Sequence, residues 1–233
     1  MQIKVASYNI RKAVGLDWRR RPERVLRVLG EINADIVALQ EVDRRFGSRT
    51  TALDPQIIEA ETDYRAIRFA ERPQSLGFHG NVILARKSIT IARAMPMVLP
   101  HLEPRGAAVA DLEIGGTLLR VVGMHLGLTR KWRTLQTETV VRELQALEAR
   151  LPTVLMGDLN EPSLKSGVLR AFEHRHTIAE PGPSYHASMP LFSLDRIIVT
   201  EDIQIAETGV HNSILSREAS DHLPIWAKIT LPT

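Results

Sequence analysis

Near the C-terminus, Ser220-Asp221-His222-Leu223-Pro224 sets a carboxylate beside an imidazole just before an apolar strand, and a second polar cluster, Gly157-Asp158-Leu159-Asn160, lies upstream. Cleaving a phosphate ester takes a cation to neutralise oxygens, a group to orient water, and a proton donor or charge stabiliser for the leaving oxygen. Acid, amide and imidazole at these two places can supply those functions, which points to an active site for phosphate esters. The chain has no cysteine, so disulfides, thiolate ligands and a cysteine nucleophile are excluded. Any metal must then be held by carboxylate, amide or imidazole groups, which favours magnesium, with manganese as its substitute.

The elements that must position these residues can be read from hydropathy. Short apolar strands alternate with amphipathic helices, and no repeat, linker or low-complexity tract interrupts them. Pro22 suits a first helical position and is followed by Val25, Leu29 and Ile32 at helical spacing; Ile36-Val37-Ala38-Leu39 then reads as a buried strand. Asp54-Pro55 opens a short helix, residues 82–84 and 89–98 read as strands, and Gly115-Gly116 marks a hairpin. A long helix is expected over residues 131–150, burying Leu135, Leu144 and Leu147, followed by a strand at 153–156, a helix capped by Ser163, and strands at 194–199 and 225–229. Mixed hairpins and β-α-β units imply an α/β fold of two sheets packed face to face with helices outside. A chain of 233 residues, 44% of them hydrophobic, can bury the core of one domain spanning residues 1–233. No run of 18 apolar residues occurs, and strand-like alternation begins at once with Met1-Gln2-Ile3-Lys4-Val5-Ala6, so a cytoplasmic protein is expected.

In this scheme each chemistry-bearing residue falls where an apolar strand stops. Asn9 follows Val5-Ala6-Ser7-Tyr8, Glu41 follows Leu39-Gln40, His125 follows Val121-Val122-Gly123-Met124, and Asp158 with Asn160 follows Val154-Leu155-Met156-Gly157. Strand ends of one sheet converge in space, and ligands commonly bind at such edges in α/β proteins. Asp195 lies inside the run 194–199, where an unpaired carboxylate is costly to bury, so it should have a partner. Asn9 and Asn160 also suit plain strand-closing turns, His125 a satisfied core histidine, and Asp195 a structural pair with Arg196. His79, His101, His174, His176, His186 and His211 show no ligand spacing and are expected at the surface.

Net charge is +3, from 30 basic and 27 acidic side chains, too slight to argue for nucleic acid by itself. Residues 11–27, however, hold seven Lys or Arg against Asp17 and Glu23. This is either a solvated helix face or a rim that attracts a phosphorylated or polyanionic partner, with Arg11 and Lys12 foremost because they closely follow Asn9. Arg105 and Arg130 are further candidates to clamp a phosphate oxygen, though each also reads as an ordinary surface arginine.

Taken in order, Ser7-Tyr8-Asn9, Leu39-Gln40-Glu41-Val42, residues 80–84, His125-Leu126, Gly157-Asp158-Leu159-Asn160, Leu194-Asp195-Arg196 and residues 220–224 resemble the motif series of the endonuclease/exonuclease/phosphatase superfamily, the DNase I-like fold. The resemblance spans nearly the whole chain. It implies a four-layered α/β sandwich of two packed mixed β-sheets flanked by helices, with a magnesium-dependent phosphoesterase site at one end. It makes Glu41 the main metal ligand, helped by Asn9 and by Asp221, directly or through water. Asp158 takes the role of orienting or deprotonating water, Asn160 of holding that carboxylate or the phosphate, His222 of stabilising or protonating, Asp195 of fixing the His222 tautomer, and His125 of a second imidazole near the leaving oxygen. Asn81 is implied to be a scaffold position. Which histidine donates the proton stays open.

Substrate class is narrower than the superfamily. Its nucleases carry basic and aromatic loops that grip the duplex, whereas this chain is short and 5% aromatic. It also has Pro190-Leu191-Phe192-Ser193 where the AP endonuclease branch carries a tryptophan-bearing stretch. The segments 9–12, 104–106 and 194–199 are more similar to small bacterial phosphodiesterases and sphingomyelinase-like members. The expected substrate is therefore a small or lipid-derived phosphodiester or phosphomonoester. A nuclease acting on DNA or RNA and a catalytically silent binding protein are the alternatives.

Overall fold

Pro22 at the first helical position and a left-handed Asn33 (φ 49°) delimit a helix that turns one apolar stripe inward, and this pattern of strand, helix and strand recurs along the chain. In the computed structural model, which describes residues 1–44, 47, 49–69 and 73–232, the order is β1 (Gln2–Asn9), α1 (Pro22–Ile32), β2 (Ile36–Gln40), α2 (Pro55–Glu61), β3 (Tyr64–Ile67), β4 (Val82–Arg86), β5 (Thr90–Val98), β6 (Gly106–Ile114), β7 (Thr117–His125), α3 (Arg130–Gln145), β8 (Thr153–Asp158), β9 (His176–Ile178), β10 (Asp195–Thr200), β11 (Gln204–Val210), α4 (Ile214–Ala219) and β12 (Ile225–Thr230).

The strands form two mixed six-stranded sheets, ordered β11-β12-β1-β2-β4-β3 and β5-β6-β7-β8-β10-β9. One apolar core joins the facing surfaces of the two sheets and extends to α1, whose Val25, Val28, Leu29 and Ile32 are buried in it. Each such side chain contributes about 1.5–3 kcal/mol of burial. β2 is buried along its whole length. A second cluster, including Val122, Leu155 and Ile198 from the strands, Val140 from α3 and Phe172 from a 3-10 turn, seals the outer face of the other sheet. Two sheets with helices outside both give the four-layered α/β sandwich.

Two expectations of local structure fail for identifiable reasons. α3 ends at Gln145 and leaves Leu135 exposed, while its buried residues include Arg133, Gln136, Thr137 and Thr139. This helix uses its inner face to hydrogen-bond loops. Gln136 donates to the Pro100 carbonyl (2.9 Å) and accepts from the Gly127 N–H (2.8 Å), and Thr137 donates to the Val168 carbonyl (2.9 Å). Ser163 caps no helix; its N–H donates to Glu161, and only a 3-10 turn, Leu169–Phe172, follows. No described helix is long and apolar enough to cross a membrane.

One glycine sets how closely the central strands approach. Gly157 (φ 159°) lies in β8 opposite Met124 of β7, and a Cβ there would sit 1.8 Å from the Met124 carbonyl oxygen. Only a residue without a side chain permits this parallel pairing.

Candidate active site

Register does most of the assembly. In the parallel β7–β8 pair His125 lies opposite Asp158, and in the antiparallel β8–β10 pair Asp158 lies opposite Asp195. Three of the chemistry-bearing residues thus form a row along one edge of a sheet. Asn9 closes β1 of the other sheet and reaches across, its Nδ2 donating to Asp158 Oδ2 at 3.0 Å. Ser220 Oγ donates to the Asn9 carbonyl (2.7 Å), which draws Asp221 and His222 to the same edge. Asn160, left-handed at φ 51°, donates its N–H to Asp158 Oδ1 (2.9 Å) and its amide to the Leu126 carbonyl (3.0 Å).

Two imidazoles face the Asp158 carboxylate: His125 Nε2 lies 3.4 Å and His222 Nε2 3.6 Å from the same oxygen, Oδ2. Their other nitrogens have opposite partners. His222 Nδ1 is 2.9 Å from Asp195 Oδ2, which also accepts from Ser184 Oγ (2.5 Å). Burial opposes charge on His222, but Asp195, and behind it Asp158 and Asp221, outweigh it and raise its pKa to about 10. His125 Nδ1 instead meets Arg105 Nη1 at 3.1 Å. A guanidinium only donates, so Nδ1 must be the bare nitrogen and the proton sits on Nε2. Burial, reinforced by Arg105, lowers the His125 pKa to about 4 against the pull of Asp158. At neutral pH one imidazole is therefore charged and the other neutral.

Oxygen donors for a hard cation lie on the neighbouring side. Glu41 follows β2 in a left-handed conformation (φ 56°), is partly exposed, and is ion-paired with Lys12. Burial pushes its pKa up, yet His125, Lys12 and Arg105 win and hold it below the usual carboxylate range. Asp221 is paired with Arg11 (3.5 Å), whose own N–H donates to Asn9 Oδ1 (3.1 Å). Each carboxylate that would hold a metal is thus paired with a cationic side chain, and two carboxylates with one amide oxygen are the donors a hydrated divalent ion takes. Asp158, Asp195 and His222 also place one potential ligand atom each within 4.8 Å of one another. That trio suits a metal less well, because Asp195 and His222 already pair with each other.

A cavity of about 80 Å³ opens beside Glu41 and His125, lined also by Lys12, Arg49, His79 and Arg105. Of the histidines expected at the surface, His101 and His174 are exposed, while His79, His176, His186 and His211 are partly buried; His79 lines this cavity, left-handed (φ 49°) and 3.3 Å from Arg49. Arg130 is not brought to the cavity; it is exposed at the start of α3, with its guanidinium beside Gly167. Sequence reasoning missed Ser184, fully buried against Asp195, and Tyr185, whose ring lies 4.8 Å from that of His222. No strand-end signal marks either. Asn81 is a scaffold residue in fact, fully buried and donating to the Phe78 and Gly106 carbonyls. The Asp195 carboxylate pairs with His222 and not with Arg196, which turns to backbone carbonyls.

The model of the endonuclease/exonuclease/phosphatase family matches residues 6–222. Among solved structures, an endonuclease/exonuclease/phosphatase from Bacteroides vulgatus superposes with TM-score 0.79 at 18% identity, covering 99% of each chain. A mannosyl-6-phosphatase from Bacteroides thetaiotaomicron gives 0.78 at 17% identity, covering 98% of this chain and 100% of the other. TDP2 from D. rerio, complexed with single-strand DNA product, gives 0.76 at 16% identity, covering 98% and 99%. At such identities these structures share the fold alone. No curated protein matches the chain.

Proposed function

Given that the chain belongs to the endonuclease/exonuclease/phosphatase family, we propose that it is a magnesium-dependent phosphoesterase hydrolysing a small or lipid-derived phosphodiester or phosphomonoester by in-line attack of water. Members of this family are hydrolases of phosphoester bonds and generally use a divalent metal. The observation that carries the reading is one carboxylate, Asp158, faced by two imidazoles whose far nitrogens have opposite partners, Asp195 for His222 and Arg105 for His125. Phosphoester hydrolysis needs a proton taken from water and positive charge given to the leaving or equatorial oxygens.

Asp158 orients the water and accepts its proton, held in place by Asn9 and the Asn160 N–H. Protonated His222, fixed by Asp195, stabilises the phosphorane or protonates the leaving oxygen, while neutral His125 offers its Nε2–H to a second oxygen. Arg105 and the Asn160 region border the phosphate. Glu41, with Asn9 and Asp221, would hold magnesium, which when bound supplies positive charge to the phosphoryl oxygens. Residues 1–233 act as one domain in this reading, supported by the core the two sheets share.

Purified protein should hydrolyse bis-nitrophenyl phosphate with magnesium and lose that activity with a chelator. A panel of inositol phosphates, lysophospholipids, RNA, plasmid and abasic DNA then ranks substrates, and preferential DNA cleavage would overturn the substrate class proposed. No turnover of any panel member, with magnesium or manganese, would leave only a silent binding protein.

A further inference from the structure

Apart from Ile214 at the start of α4 (84% exposed), the most exposed large apolar side chains among the described residues gather toward the site-bearing strand ends. Trp18, Leu102, Leu128, Met189, Leu191 and Phe192 are between 52 and 77% exposed. All six lie in segments that adjoin a site-bearing strand end: after β1, before β6, after β7 and before β10. Leu102 and Leu128 border one small cleft. The tip 189–192 is tied to the catalytic edge, since Tyr185 and Phe192 exchange backbone hydrogen bonds (2.9 and 2.8 Å) and the Tyr185 ring packs on His222. Isolated exposed apolar residues need no explanation, but six in the segments that flank one set of strand ends do.

Charge is distributed the same way. Residues 10–21, 41–44, 49–50, 99–105, 126–131, 158–168, 185–196 and 220–224, the site carboxylates included, hold twelve Lys or Arg against eight Asp or Glu, a surplus of four where the whole chain has a surplus of three. The remainder is therefore net acidic. Among them, Arg19, Arg20, Arg130, Lys131 and Lys165 are exposed.

We propose that this end docks on the surface of an anionic phospholipid bilayer, with the apolar tips entering the headgroup boundary and the surrounding cations meeting lipid phosphates. Apolar tips combined with basic residues are the pattern that interfacial binding rewards. A nucleic acid would instead favour planar side chains on which bases stack. Four of the six tips are aliphatic, and Trp18 has the Arg11 guanidinium over its ring at 4.5 Å. A second copy of the chain would bring the same positive surplus against this one. Combined with the phosphoesterase reading, on which this last step rests, docking presents lipid phosphate esters directly to the cleft.

Sedimentation with phosphatidylglycerol-containing vesicles and with pure phosphatidylcholine vesicles tests the docking without requiring turnover. The wild-type protein should partition onto the anionic vesicles about ten-fold more strongly, and Met189→Ser combined with Leu191→Ser should reduce that partitioning about ten-fold. The double variant should keep its melting temperature and its rate on soluble bis-nitrophenyl phosphate. Equal binding by wild type and double variant, no binding by wild type, or displacement from vesicles by stoichiometric duplex DNA each overturns the proposal. Vesicle binding without hydrolysis of any phosphate ester, soluble or carried in the vesicles, would sink the phosphoesterase reading and leave the docking intact.

Discussion

The two imidazole corners of the site are built from the same parts to opposite ends. Both rings are buried, and both point Nε2 at Asp158 Oδ2. At one corner Asp195 accepts from Nδ1 and a charged ring results; at the other, Arg105 donates to Nδ1 and the ring stays neutral. Burial alone would neutralise both. The sign of one neighbouring charge decides each case, so the protonation of a buried histidine here is set by the partner of its far nitrogen.

The largest effect should come from the residue the corners share. Asp158→Asn leaves both rings in place but removes the proton acceptor, and should lower kcat on bis-nitrophenyl phosphate by about 10³-fold or more, with the melting temperature near wild type. His222→Ala removes the charged corner and should cost about 10²–10⁴-fold. Wild-type kinetics at matched magnesium check both.

Asp195→Asn keeps the shape and withdraws the charge. His222 should then lose its proton well below pH 10, so the alkaline limb of the kcat profile moves down; an unmoved limb would show that Asp195 is not what holds the proton. Arg105→Gln should have a smaller effect, about ten-fold on kcat/KM, because Gln can still donate to Nδ1 while the positive charge is lost. An Arg105→Glu variant reverses the corner and should raise the His125 pKa, read from the ring proton shifts by NMR.

A separate effect is on stability, and the corners pull it in opposite directions. His222, raised to about 10 from 6.5, contributes stability that is fully present below about pH 6.5 and is lost as pH rises through 10. His125, depressed to about 4, contributes stability present above pH 6.5 and lost as pH falls through 4. Their joint contribution should therefore peak near pH 6.5 and weaken on both sides. Melting curves of His125→Gln should lack the acid-side loss, and those of His222→Gln the alkaline-side loss.

How much of this was legible depended on whether a residue advertised its place through the strand it ended. Asn9, His125, Asp158 and Asp195 all stand at strand termini, and the parallel and antiparallel registers of β7, β8 and β10 turn sequence position directly into adjacency. The sandwich itself could be read from alternating apolar runs. Arg105 could not be given its task, because its contact with His125 depends on the β6–β7 pairing that brings residue 105 alongside the end of β7. His79 looked like surface because no periodicity predicts a loop that folds back on a left-handed residue. α3 misled for another reason: apolar spacing assigns burial by hydrophobicity, while this helix buries Gln136 and Thr137 as clamps on neighbouring loops.

The close approach at Gly157 carries a consequence for how the molecule tolerates change. It lies one residue before Asp158 and faces the residue before His125, so the spacing of two reacting groups is fixed by a neighbour with no functional atoms of its own. A methyl there would prise the paired strands apart where acid and imidazole meet. Screens for inactive variants should recover Gly157→Ala alongside losses of polar residues, a lesion of spacing with every catalytic side chain still present.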